Sequence, residues 1–283
     1  MRRLGATKVW PVGLGAMPLS IENRPDEARA LATIHAAIEA GVTLIDTADS
    51  YHWHAGEEGH NEELVARALA GRTEQVLVAT KGGRTRPGDG SWGVDGRPVH
   101  LRRACEASLR RLGVEAIGLY QLHKPDPRVP WAESVGTLRE LLDEGKIRAA
   151  GLSNVSVAQL LQAREVLGED LVSVQNEYSP LVRDSQPVLR ACEELGVAFL
   201  PWSPLGGISR SSLDPGAPAF EPGPFHRVAA GRGVSPQQVC LAWLLASSPV
   251  LIPIPGASRP ESARDSARAA ELELTAAELA ELG

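Results

Sequence analysis

Residues 31–46 read LATIHAAIEAGVTLID, and this stretch decides the fold. Leu31, Ile34 and Ile38 recur at i, i+3 and i+7, so they share one face of a helix. Gly41 is the stop signal, because glycine accepts the left-handed backbone that ends helices. Val42-Thr43-Leu44-Ile45 then changes to the short apolar run of a buried strand. The helix has fed directly into a strand.

The same beat runs in both directions. Residues 9–14 read as a first strand, weakened by Pro11 and Gly13. Helix 61–70 precedes strand 75–80, helix 101–112 precedes strand 116–122, and helix 131–143 precedes strand 146–152. Helix 156–167 precedes strand 171–175, and helix 185–195 precedes strand 197–201. Ser235, Pro236 and Gln238 form an N-cap and capping-box signal for helix 235–246, which is apolar all round from Val239 to Leu245 and so buried there. Strand 250–254 is the last. Eight strands with their helices in 283 residues predict an α/β fold, a closed (β/α)8 barrel, with one domain over residues 1–283. A doubly wound sheet is the alternative; against it, no GxGxxG follows the first strand. Three irregular segments, 83–99, 124–130 and 205–224, follow strands and so belong to the barrel's catalytic face.

Composition narrows the function class. Net charge is −6 and no basic stripe is visible, which argues against a general nucleic-acid role. Cys105, Cys192 and Cys240 are far apart and form no CxxC pair, so they read as buried apolar residues in a reducing compartment. The first residues, MRRLGATKVWPVGLGAM, lack a secretory apolar core, and no stretch approaches the roughly 18 apolar residues of a membrane span. The expectation is a cytoplasmic protein.

Four polar residues converge if the barrel forms. Asp46, Lys81 and His123 each follow a strand's apolar run, and Tyr51 lies five residues past Asp46. Carbonyl reduction needs hydride at carbon and a proton at oxygen. A free phenol holds its proton with a pKa of about 10. A nearby ammonium favours the phenolate and lowers that value, so Lys81 is expected to make Tyr51 the better acid. Asp46 can pair with Lys81, and His123 can orient the carbonyl.

The stretches LIDTADSY (44–51), ATKGG (79–83), LYQLHKPD (119–126), GLSN (151–154), VQNEYSPL (174–181), PWSPLGG (201–207) and PIPGAS (253–258) resemble the aldo-keto reductase superfamily, in its order. VQNEYSPL and PWSPLGG look most like the bacterial branch that includes pyridoxal-reductase-like members. The resemblance implies a (β/α)8 barrel, a catalytic tetrad of Asp46, Tyr51, Lys81 and His123, a small-molecule carbonyl substrate and a monomer. It implies that Ser153, Asn154 and Gln175 bond the nicotinamide carboxamide and that Trp202 stacks on its ring. Ser203, Leu205 and Gly206 would begin the pyrophosphate loop, where glycine permits close approach. Gly256, Ser258 and Arg259 precede a helix whose N–H groups favour anions, and Arg259 with Arg264 suits a 2′-phosphate, so NADPH is expected over NADH.

Two positions depart from the family. Asp265-Ser266 stands where many members have Glu-Asn near the adenine, and Gly118 stands where many have Asp. His52, His54 and His60 could hold a metal by spacing, but hydride transfer needs none; His52, Trp53 and Trp92 are expected at the substrate entrance. Two other readings stay open, a cofactor-binding sensor or structural subunit without turnover and a barrel hydrolase. For the latter, Asp46 lacks an acidic mate at a strand end.

Overall fold

The computed structural model describes residues 1–209 and 223–283. A hairpin of β1 (Arg2–Leu4) and β2 (Thr7–Val9) comes first, and the barrel opens only at β3 (Leu14–Gly15). The strand expected over residues 9–14 is therefore corrected, since Pro11 and Gly13 separate two shorter strands. Then come α1 (Glu27–Glu39), β4 (Leu44–Asp46), α2 (His60–Leu69) and β5 (Leu77–Gly82). A small hairpin, β6 (Arg84–Thr85) with β7 (Gly93–Val94), precedes α3 (Pro98–Leu112). The beat continues through β8 (Leu119–Leu122), α4 (Trp131–Asp143), β9 (Ala150–Ser153), α5 (Val157–Leu167), β10 (Leu171–Gln175), α6 (Gln186–Leu195) and β11 (Ala198–Phe199). The helices α7 (Pro224–Arg232), α8 (Pro236–Ser247), α9 (Pro260–Arg268) and α10 (Ala276–Leu282) follow. Most of the loop expected over 205–224 lies outside the described residues.

Seven strands pair in parallel in the order β11-β10-β9-β8-β5-β4-β3. The segment expected as the eighth strand is not a continuous one. It still bonds on both sides: Ile252 N–H donates to Phe199 O (2.9 Å), and Pro253 O and Pro255 O accept from Gly13 and Gly15 N–H (2.9 and 3.0 Å). Pro253 and Pro255 have no N–H to return, so this ladder is half made, yet it closes the (β/α)8 barrel.

Strand alternation sorts the core. Leu44, Ala79 and Leu119 point into the barrel with Ile252 and Ile254, and Leu4 and Val9 of the first hairpin pack with them at the strands' starting end. Ile45, Tyr120 and Val174 point outward under the helices. Gly118 belongs to this packing, because a Cβ there would lie 2.5 Å from Leu77 Cδ1.

Helix starts follow their caps. Ser156 and Gln159 form a reciprocal capping box at α5. Ser235 Oγ accepts from Gln238 N–H at α8, but the expected box is not completed. The Gln238 side chain donates instead to Asp265 Oδ1 (2.6 Å), and Ser235 donates to Asp265 Oδ2 (2.6 Å). The α8 residues 238–244 are buried, as an all-apolar helix requires. Among the described residues no helix is long and apolar enough to cross a membrane.

Candidate active site

The inward positions turn polar at the C-terminal ends of the strands. Asp46 is two residues past Leu44, Lys81 two past Ala79, and His123 four past Leu119, so period-2 alternation aims all three into the barrel mouth. Lys81 is completely buried, and its Nζ has three acceptors: Asp46 Oδ1 at 2.5 Å, Thr47 O at 2.9 Å and Tyr51 Oη at 3.1 Å. The strand bearing Lys81 is pinned from behind, where Thr80 Oγ1 donates to the buried Glu62, itself paired with Arg111.

Asp46 is also held from below. Its Oδ2 accepts from Gln175 Nε2 (2.8 Å) and Gln121 Nε2 (3.3 Å), and Ser173 Oγ donates to Gln121 Oε1 (3.2 Å). Gln121 and Ser173 lie outside the set read from the motifs. Their signal is alternation, since each sits two residues before an inward polar residue, His123 or Gln175.

Electrostatics follow from burial. Desolvation pushes the Tyr51 phenol above its ordinary value, and this outweighs the opposing pull of Lys81. The expected net lowering is therefore corrected; in the resting site Tyr51 is a neutral phenol. Desolvation also acts against the Lys81 ammonium, but Asp46 and Tyr51 more than offset it and hold Lys81 above the usual lysine range. Burial, with the charges of Lys81, Arg84 and Lys124, holds His123 well below its ordinary value, so its ring is neutral. His123 Nδ1 is 3.4 Å from Ser50 Oγ, and its ring meets Tyr51 edge-on with centroids 5.6 Å apart.

A cavity of about 420 Å³ opens above this group. Asp46, Tyr51, His123, Ser153, Asn154, Gln175, Trp202, Ser203, Leu205, Gly206 and Gly256 line it, as does Trp92. Lys81 lies beneath its floor. Asn154, in the left-handed region at φ +59°, clamps the wall: Nδ2 donates to His123 O and Ser153 Oγ, and Oδ1 accepts from Trp202 Nε1. Gly206 and Gly256 are required by packing, because a Cβ would stand 2.6 Å from Ser179 Oγ or 2.7 Å from Pro18 Cγ.

Other residues read from the sequence lie off the walls. His52 is buried with Nδ1 on His54 O, Trp53 stacks on His54, and His60 Nδ1 meets Ser20 Oγ. Ser258 and Arg259 are exposed at the start of α9, with Arg259 as its N-cap. Arg264 pairs with Glu39 at 3.4 Å. Met17 and Arg84 line the cavity without a motif to announce them.

Comparison with known proteins gives the family. Residues 11–283 match the Aldo/keto reductase family. An uncharacterised oxidoreductase of Schizosaccharomyces pombe is 36% identical, over 99% of this chain and 88% of its own length. The glycerol dehydrogenase of Gluconobacter oxydans superposes with a TM-score of 0.84 at 31% identity, covering 100% of this chain and 93% of that one. An aldo-keto reductase of Klebsiella pneumoniae, solved in complex with NADPH, superposes with a TM-score of 0.82 at 29% identity, over 99% and 93% of the two chains. The chain belongs to the aldo/keto reductase family of oxidoreductases.

Proposed function

We propose that this protein reduces aldehydes or ketones to alcohols with NADPH, Tyr51 giving the proton. The observation that carries the reading is the saturation of Lys81: its three N–H bonds go to Asp46, Thr47 and Tyr51. Tyr51 Oη is thus an acceptor toward Lys81, and its own O–H is left for the cavity that it lines. Burial keeps that proton in place at neutral pH. When the proton leaves, the adjacent ammonium stabilises the phenolate in a site of low dielectric, where a charge contact counts most. In the tautomer in which Nδ1 accepts from Ser50 Oγ (3.4 Å), the neutral His123 carries its hydrogen on Nε2 and can donate to the same carbonyl oxygen.

A bound NADPH supplies the hydride. Gln175 Nε2 is committed to Asp46, so Gln175 offers the cavity its carbonyl oxygen, and Ser153 Oγ keeps a lone pair; both suit the NH2 of a carboxamide. Trp202 is tethered through Nε1 and presents a fixed ring in the wall. Ser203, Leu205, Gly206 and Gly256 would follow the cofactor outward, and Ser258, Arg259 and Arg264 would meet the adenosine end. The K. pneumoniae relative was solved with NADPH, which supports the same choice here.

The test is a carbonyl panel that includes 4-nitrobenzaldehyde and pyridoxal, run with NADPH and NADH in parallel. NADPH oxidation with at least one member is expected, and Tyr51→Phe should lower kcat by about 10²- to 10⁴-fold. A Tyr51→Phe enzyme of full activity would sink the assignment of the proton donor. Tight NADPH binding without turnover on any member would sink the reductase reading.

A further inference from the structure

Among the described residues, Arg84 is a cation without an anion. It follows Lys81 by three residues, on β6, and lines the cavity in a half-buried position. The buried cations on either side of it in the chain are paired, Lys81 with Asp46 and Arg86 with Glu22. Among the described residues Arg84 has no hydrogen-bond acceptor and no carboxylate partner, and its Nε is buried and unsatisfied. A polar group left so is unfavourable until something completes it.

Its surroundings make it a presented group. The guanidinium Cζ lies 5.1 Å from the Trp92 ring centre, and Arg86 holds the same ring at 4.4 Å. Trp92 in turn meets Tyr51 edge-on at 6.4 Å. The backbone is fixed by the β6–β7 pairing of Arg84 with Val94, and Arg128 donates to Val94 O behind it. Among the described lining residues Asp46 is balanced by Lys81 beneath it and His123 is neutral, so Arg84 is the unbalanced charge there. This positive site sits in a chain of net charge −6.

We propose that Arg84 determines specificity for carbonyl substrates bearing a carboxylate or phosphate, pairing with that oxyanion while the carbonyl rests on Tyr51 and His123. The inference rests on the reductase reading above. A guanidinium offers a planar fork of N–H donors that matches such oxyanions, and such pairs are strong where water is scarce.

Two measurements test it. The first compares kcat/KM for 4-carboxybenzaldehyde and 4-formylphenyl phosphate with that for the uncharged 4-carbamoylbenzaldehyde. The charged aldehydes should be preferred by about 10- to 100-fold, the range expected of one charged hydrogen-bonded pair. The better of the two identifies carboxylate or phosphate. Arg84→Gln should collapse the ratio to near unity, and Arg84→Lys should keep part of it. The second measures binding of benzoate, phenyl phosphate and benzamide through tryptophan fluorescence, since Trp92 and Trp202 line the cavity. An anion should bind at least about 10-fold tighter than benzamide, and Arg84→Gln should remove the difference.

Equal use of charged and uncharged aldehydes, or a ratio unmoved in Arg84→Gln, overturns the proposal and leaves the reductase reading intact. No turnover of any aldehyde removes the reductase reading, and the fluorescence arm then decides whether Arg84 holds anions. Should Arg84→Gln fail to fold, the anion preference of the unsubstituted protein and of Arg84→Lys still decides.

Discussion

Lys81 shows how one buried side chain couples stability to chemistry. Its ammonium balances Asp46 where both side chains are almost wholly buried. Lys81→Met leaves the Asp46 carboxylate with only the amides of Gln121 and Gln175. Breaking a buried pair from one side costs about 3–5 kcal/mol. Urea unfolding should show a loss of that size, and Lys81→Met combined with Asp46→Leu should lose less than the sum of the single changes. A loss in Lys81→Met below about 1 kcal/mol would mean that the pair is not structurally coupled in this way. The sequence shows which residues meet here, because the motif and the strand alternation both aim them at one mouth. It does not show that desolvation exceeds the pull of Lys81 on Tyr51, since the depth of burial depends on loops folded over the site.

At the scale of elements, the seam between β3 and the half-made eighth strand is where the barrel closes. A Cβ on Gly15 would stand 2.7 Å from Ile254 O, so the two backbones approach more closely than a side chain permits. Gly15→Ala should destabilise the protein by about 1–3 kcal/mol, as overpacking does. In that variant amide exchange should quicken first at Gly13 and at position 15, whose N–H groups bond Pro253 and Pro255. Unchanged exchange there would show that the seam relaxes without strain. Helices were legible in the sequence because apolar periodicity and caps are local: α4 spans Trp131–Asp143 and α5 starts behind Ser156, as read. The first hairpin, β6–β7 and α7 were not, being too short or too polar to carry a period of their own. The Gln238 side chain is held by Asp265, 27 positions away, to which its Nε2 donates, a contact no local pattern announces.

Over the whole molecule, burial of neutral histidine should appear as acid sensitivity. Burial and nearby cations hold the folded value of His123 well below about 6.5, its unfolded value. Between the two values the unfolded chain binds a proton that the folded chain does not. This contribution to stability is present above about pH 6.5 and falls away as the pH drops, by about 1.4 kcal/mol per pH unit for this group. His60 and His100, also lowered by burial, act in the same direction. Asp49, raised by burial and by Glu62, acts in the opposite direction. Urea midpoints measured from pH 7 to pH 5 should therefore fall less in His123→Gln than in the unsubstituted protein. Parallel curves would refute the assignment.

The sequence by itself determined the alternation of helix and strand, the barrel, and the residue types at the strand ends. Those depend on periodicity and on neighbours within a few positions. Only the tertiary structure decided the order of forces in the site. It seated Asp46 on Gln121 and Gln175, closed Asn154 onto Trp202, and left Arg84 facing the cavity without an acidic partner among the described residues. Such outcomes depend on which distant groups are within hydrogen-bond reach and which are cut off from water, and the linear chain states neither.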